Sequence, residues 1–69
     1  MNYNDTERLY SLLNSYHDGK ITLFDLLDDS MTFFDSIRGV CSWLTIDGKK
    51  EFDGYHFDDL VDYYLSCLP

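Results

Sequence analysis

Three features of the chain predict a small α+β domain in which three helices pack with a two-stranded antiparallel hairpin, in the order α-α-β-β-α. Apolar residues recur every three or four positions along three stretches, and a central run alternates with period two up to Asp47-Gly48. A length of 69 residues leaves room for one core, so residues 1–69 are expected to form a single acidic globular domain.

The first helix is expected from Asn4 to His17. Asn4 stands as its N-cap with Glu7 three residues on, Leu9, Leu12, Leu13 and Tyr16 follow at helical spacing, and Gly19 supplies the stop. The second starts at Thr22, whose hydroxyl can cap the helix with Asp25 at the third position. Phe24, Leu27, Met31, Phe34 and Ile37 then recur up to Gly39, and Leu23, Leu26 and Phe33 widen the apolar face until this helix reads as the central one. Ser30 and Thr32 compete for backbone hydrogen bonds, so two short helices are the alternative.

After Gly39 the period changes. Val40, Ser42, Leu44 and Ile46 alternate with Cys41, Trp43 and Thr45, and Asp47-Gly48 favours a type I′ turn, so residues 49–53 become the returning strand, with Gly54 ending it. The third helix puts Phe57, Leu60, Val61, Tyr64, Leu65 and Leu68 on one face and Asp58, Asp59, Asp62 and Tyr63 on the other, before Pro69. Trp43, Phe24, Leu27, Phe34, Leu60 and Tyr64 are the expected core. No linker, repeat or low-complexity stretch interrupts these elements.

Composition narrows the function classes. The net charge is -8 and eleven of the thirteen acidic residues are Asp, yet 45% of the chain is hydrophobic and twelve residues are aromatic. A disordered acidic tail lacks that apolar content, so the charge sits on a folded body. Self-repulsion then works against compaction, which predicts that salt stabilises the fold. Cys41 and Cys67 are too few for a disulfide framework and lack zinc-site spacing; they read as buried small hydrophobes, with a single bridge as the alternative. No apolar run approaches the roughly 20 residues of a membrane span and no leader pattern is visible, so the expected location is cytoplasmic.

Catalysis finds little support. His17 and His56 both sit at element ends, and no local signature joins either to a nucleophile. Asp28-Asp29 and Asp58-Asp59 are carboxylate pairs of the kind that hold a hard cation, but a calcium loop needs oxygen ligands at fixed offsets, and Lys49 and Lys50 follow Asp47-Gly48 where ligands would be required. The expectation is a non-enzyme with no cofactor and no metal.

The carboxylates do follow a pattern. Asp25, Asp28, Asp29 and Asp35 form a stripe on the second helix opposite its apolar face, and Asp58, Asp59 and Asp62 do the same on the third, beside Tyr63. Carboxylates four residues apart lie about 6 Å apart along a helix axis. That is near the spacing of successive phosphates on a nucleic-acid strand, whose axial rise of about 3.4 Å is the lower bound. A solvated face that keeps the protein soluble is the plainer explanation of such stripes. Against it, ordinary helix faces favour Glu over Asp, and six tyrosines exceed what so small a core needs. The expected partner is a protein with a basic surface, and the chain itself a monomer or weak homodimer. Direct nucleic-acid binding is not expected, because five basic residues face thirteen acidic ones.

In size, charge and Asp/Tyr-rich helices the whole chain resembles the small inhibitors that phages and mobile elements make against host nucleases, the anti-CRISPR and anti-restriction proteins. The resemblance lies in composition and has no diagnostic motif. It implies an inhibitor that blocks a nucleic-acid-handling complex of the host, a nuclease or CRISPR effector complex. An immunity protein or antitoxin neutralising one basic toxin, and a structural or regulatory subunit that associates through its aromatics, are the other readings.

Overall fold

A computed structural model describes residues 3–46 and 50–69. Among them four α-helices, one 3-10 turn and a two-stranded antiparallel hairpin form a mostly helical α+β fold. Helix α1 spans Tyr3–His17, α2 Leu23–Ser30, α3 Ile37–Leu44 and α4 Phe57–Cys67, with strands β1 at Glu51–Phe52 and β2 at Tyr55–His56.

The ends of α1 and α2 follow from local chemistry. Gly19 adopts φ +77°, and the amides of Gly19 and Lys20 donate to the carbonyls of Tyr16 and Ser15 at 3.0 and 2.9 Å, closing α1 with paired C-terminal bonds. Helix α1 already includes Tyr3, so Asn4 lies within the helix and does not cap it. At the start of α2 the Asp25 amide donates to Thr22 Oγ1 at 3.1 Å and the Thr22 amide donates to Asp25 Oδ2 at 3.2 Å, a reciprocal capping box.

Beyond Ser30 the structure departs from the sequence reading. The expected helix over residues 22–39 breaks, and Met31–Phe33 tighten into a 3-10 turn. The Thr32 hydroxyl donates to the Asp29 carbonyl at 2.9 Å, and Phe34 is extended. Ser36 then caps a new helix by accepting from the Gly39 amide at 3.2 Å. The break is the alternative that Ser30 and Thr32 offered, but α3 runs on through the residues expected to form a strand. Ile37, Val40, Cys41 and Leu44 are all buried, the i, i+3, i+4, i+7 set of a helix face. Alternation had placed Val40 and Cys41 on opposite faces; the helix turns both inward.

The hairpin forms six residues later than expected. Its turn is Asp53-Gly54, with both residues left-handed at φ 53° and 82°, and it registers Glu51 against His56 and Phe52 against Tyr55. Positive φ at both central positions is what a type I′ turn requires. Asp47, Gly48 and Lys49 fall outside the described residues, and within the expected return strand over 49–53, Glu51–Phe52 form the first strand of the hairpin and Asp53 its turn.

Helix α2 packs against each of the other three helices and is the centre of the fold. Leu26, Leu27, Val40, Cys41 and Leu60 are fully buried, with Leu9 of α1 equally enclosed. Each buried leucine contributes about 1.5–3 kcal/mol relative to an exposed one. Leu27, Leu60 and Tyr64 join the core as expected, whereas Phe24, Phe34 and Trp43 are only half-buried at its margin. On α4 the inward face ends at Tyr64, leaving Leu65 and Leu68 exposed at 52% and 42%. Cys41 is buried, and burial pushes its thiol up to about 11 against the lowering influence of Arg38. Cys67, expected to be buried, is exposed on the last turn of α4, and the two cysteines are not bridged.

Candidate functional site

The short helix α2 carries three of the acidic positions singled out above. Asp25, Asp28 and Asp29 are exposed, while Leu23, Leu26, Leu27 and Ser30 of the same helix are buried. At 100° per residue the two sets occupy opposite sides of the helix, so the aspartates project away from the core. Asp35 does not join them. The helix stops at Ser30, and Asp35 lies in the extended stretch before the Ser36 cap of α3, exposed but off the stripe.

Helix α4 repeats the arrangement. Asp58, Asp59 and Asp62 are exposed opposite Leu60, Val61 and Tyr64. Arg38 Nη2 approaches Asp58 Oδ1 at 3.8 Å and the same guanidinium lies over the Phe57 ring at 4.8 Å from its centroid. Asp58 is thus the one member of the two stripes with a cation at ion-pair distance among the described residues. Tyr63, placed by the sequence on the polar face, is half-buried against the core and sits 6.0 Å from the Tyr55 ring. Burial pushes its phenol up, with Cys67 adding to the shift.

One contact ties the two acidic helices together. The Tyr64 hydroxyl on α4 donates to Asp28 Oδ1 on α2 at 2.7 Å, and the Tyr64 ring stacks on Phe24 at 5.3 Å and 12°. The bond to Asp28 raises the Tyr64 phenol above its ordinary value, with burial adding to it. Asp25 and Asp28 therefore do double duty: the first completes the α2 cap, the second orients α4, and both are exposed at the surface.

Residues that the sequence reading passed over enter here. Asp53 accepts a hydrogen bond from the Tyr16 hydroxyl, which fastens the hairpin turn to α1. Burial foremost, and then the Asp53 carboxylate, push the Tyr16 phenol up to about 12. Tyr55 flanks Tyr63 from β2. The Asp53-Gly54 dipeptide was the available signal for both, being the same turn motif as Asp47-Gly48.

His17 stacks on Phe52 at 6.2 Å, and His56 precedes α4 at the N-cap position without a side-chain capping bond. Among the described residues no group of three or more His, Cys, Asp or Glu gathers in a way that would hold a metal ion, and no helix is long and apolar enough to cross a membrane. Comparison with protein-family models, curated proteins and solved structures finds no match.

Proposed function

We propose that the chain is a stoichiometric protein inhibitor that occupies a basic nucleic-acid groove on a host defence complex, as the anti-CRISPR and anti-restriction proteins it resembles in composition do. The observation that carries this reading is the pair of Asp stripes on two helices joined through Tyr64 and Asp28. Asp25 and Asp29 make one i, i+4 step on α2, Asp58 and Asp62 another on α4, each about 6 Å along its axis. Lysine and arginine side chains that grip successive phosphates would meet carboxylates at a comparable interval. A short Asp side chain holds its charge close to the helix, so the pattern is firmer than Glu would present. The net charge of -8 steers the encounter, and Tyr63 at the margin of the α4 stripe adds contact area.

Asp29, Asp59 and Asp62 are the residues for a test, because their carboxylates hold no hydrogen bond or ion pair among the described residues. The immobilised protein and its Asp29→Lys, Asp59→Lys, Asp62→Lys triple variant are compared for what they capture from host lysate at low and moderate salt. The wild-type protein is expected to recover a nuclease or a guide-loaded complex in a salt-sensitive way, and the variant to lose it with its circular dichroism unchanged. Undiminished capture by the folded variant would overturn the reading. Recovery of one small basic protein instead would replace it with the immunity-protein or antitoxin reading.

A further inference from the structure

A hollow of about 420 Å³ opens between α1 and the end of α2, where the 3-10 turn begins. Helix α1 contributes Arg8, Ser11 and Leu12 to it, and the other wall is Asp29, Thr32 and Phe33. Both sets follow the spacing i, i+3, i+4, which gathers each on one side of its segment. Leu12 and Phe33 are half-buried and supply apolar lining, whereas Arg8, Ser11, Asp29 and Thr32 are exposed.

Arg8 and Asp29 carry opposite formal charge on the two walls, yet they do not meet at ion-pair distance; the ion pair formed among the described residues is Arg38 with Asp58. The Arg8 guanidinium lies instead over the Phe33 ring, 4.9 Å from its centroid. A ring contact of this kind leaves the N–H donors of the guanidinium for another partner. The Asp29 carboxylate is equally uncommitted, and Thr32, whose hydroxyl donates to the Asp29 carbonyl at 2.9 Å, keeps lone pairs with which to accept. The hollow therefore presents charged donors on the α1 wall, acceptors on the opposite wall and apolar surface from both.

That set selects its occupant by elimination. A plain anion would meet Arg8, but also Asp29 and the field of a body of net charge -8. A plain cation would sit beside Arg8, while Asp59 and Asp62 offer it exposed carboxylates on α4 without that penalty. A purely apolar molecule would take water from both charged groups and return no hydrogen bond to either. We propose that the hollow binds a small zwitterion of the free amino acid class, its carboxylate on Arg8, its ammonium on Asp29 and its apolar frame against Leu12 and Phe33. The volume suits such a ligand, since small-molecule sites run from about 300 to 1,000 Å³. With no net charge, the zwitterion is not drawn by the field that steers a basic partner, so its binding changes little with salt, whereas partner capture weakens.

Backbone amide resonances of the full chain test this, recorded as γ-aminobutyrate, L-leucine, butylamine or butyrate is added up to about 100 mM. The two zwitterions differ in the separation of their charges, and the last two probes carry one charge each. At least one zwitterion is expected to move the amides of residues 8–12 and 29–33 saturably, with a midpoint of about 1–10 mM for a molecule of this size. Butylamine and butyrate are expected to bind there about tenfold more weakly or less. Arg8→Gln and Asp29→Asn, on separate elements, should each lower the affinity on the order of tenfold, and either decides the matter should the other fail to fold. No saturable shift with either zwitterion, equal binding of a singly charged probe at these residues, or wild-type affinity in the folded variants would each overturn the proposal. The inference does not rest on the inhibitor reading, and Arg8 belongs to neither stripe: a chain that binds no zwitterion yet captures its basic partner sinks only the ligand site, and one that binds a zwitterion and captures nothing sinks only the inhibitor.

Discussion

On α2 and α4 aspartates turn away from the core, whereas along the edge built by α1, α3 and β1 aromatic rings lean on one another around a cleft that the described residues line with apolar side chains. Each region is fastened by one phenol-to-carboxylate hydrogen bond, Tyr64 to Asp28 across the acidic helices and Tyr16 to Asp53 between α1 and the hairpin turn. The same residue pair thus serves two surfaces of opposite character. An aspartate's place in the fold thus decides whether it only faces outward, as Asp59 and Asp62 do, or also fastens a neighbouring element, as Asp28 and Asp53 do.

The largest expected effect would remove the distinction altogether. Leu60 is fully buried in the core cluster against which side chains of both regions pack, and Leu60→Ala should cost about 2–5 kcal/mol through lost burial and the cavity left behind. Chemical denaturation followed by circular dichroism measures it. A loss well below that range would mean that the two surfaces rest on separate supports.

Alkaline pH separates the two fastenings. Both phenols are raised in the folded protein, Tyr16 from its ordinary 10 to about 12 and Tyr64 upward through its bond to Asp28. A raised pKa means that the folded state holds the proton more tightly than the unfolded state. The stabilisation is therefore full below about pH 10 and, for Tyr16, is lost as pH rises through about 12. Melting temperatures across that window should fall in the wild-type protein and fall less steeply in Tyr16→Phe and Tyr64→Phe. An unaltered slope in both variants would show that neither bond holds its region in place.

The smallest effect is expected at Asp58. Its ion pair with Arg38 is exposed on both sides, and such pairs contribute about 0–1 kcal/mol. Asp58→Asn should leave thermal stability nearly unchanged, and should weaken partner capture less than Asp62→Asn, since Asp58 already shares its charge with a neighbour. Equal losses in capture would mean that Arg38 does not screen the stripe.

Much of this was legible in the residues themselves. The Thr22 and Asp25 capping box, the Gly19 stop and the outward turn of Asp25, Asp28, Asp29, Asp58, Asp59 and Asp62 all depend on spacings of three or four residues, which a helix converts directly into geometry. Asp35 was lost from its stripe because the Thr32 bond and the Ser36 cap divide the chain before that residue. Residues 40–46 fit both periods, and only the burial of Ile37 with Val40, Cys41 and Leu44 separates them, a tertiary fact that alternation along the chain does not contain. Gly39 read as a stop, yet it lies inside α3 without positive φ. Two Asp-Gly dipeptides offered the same turn. The second one forms the observed hairpin, with its turn aspartate bound by Tyr16, 37 residues away in the chain.

The hairpin is short enough to bear on how fast the chain organises. Its outermost pair, Glu51 with His56, closes a loop of only a few residues, and the remaining structure is helical. Among the described residues both strands pair with their immediate neighbour in the chain, so little loop-closure entropy opposes their pairing. Domains dominated by such local contacts fold on the order of microseconds to milliseconds. A small body that repels itself has a modest margin against unfolding. Rapid return from each opening is then expected to protect such a body alongside the rarity of opening.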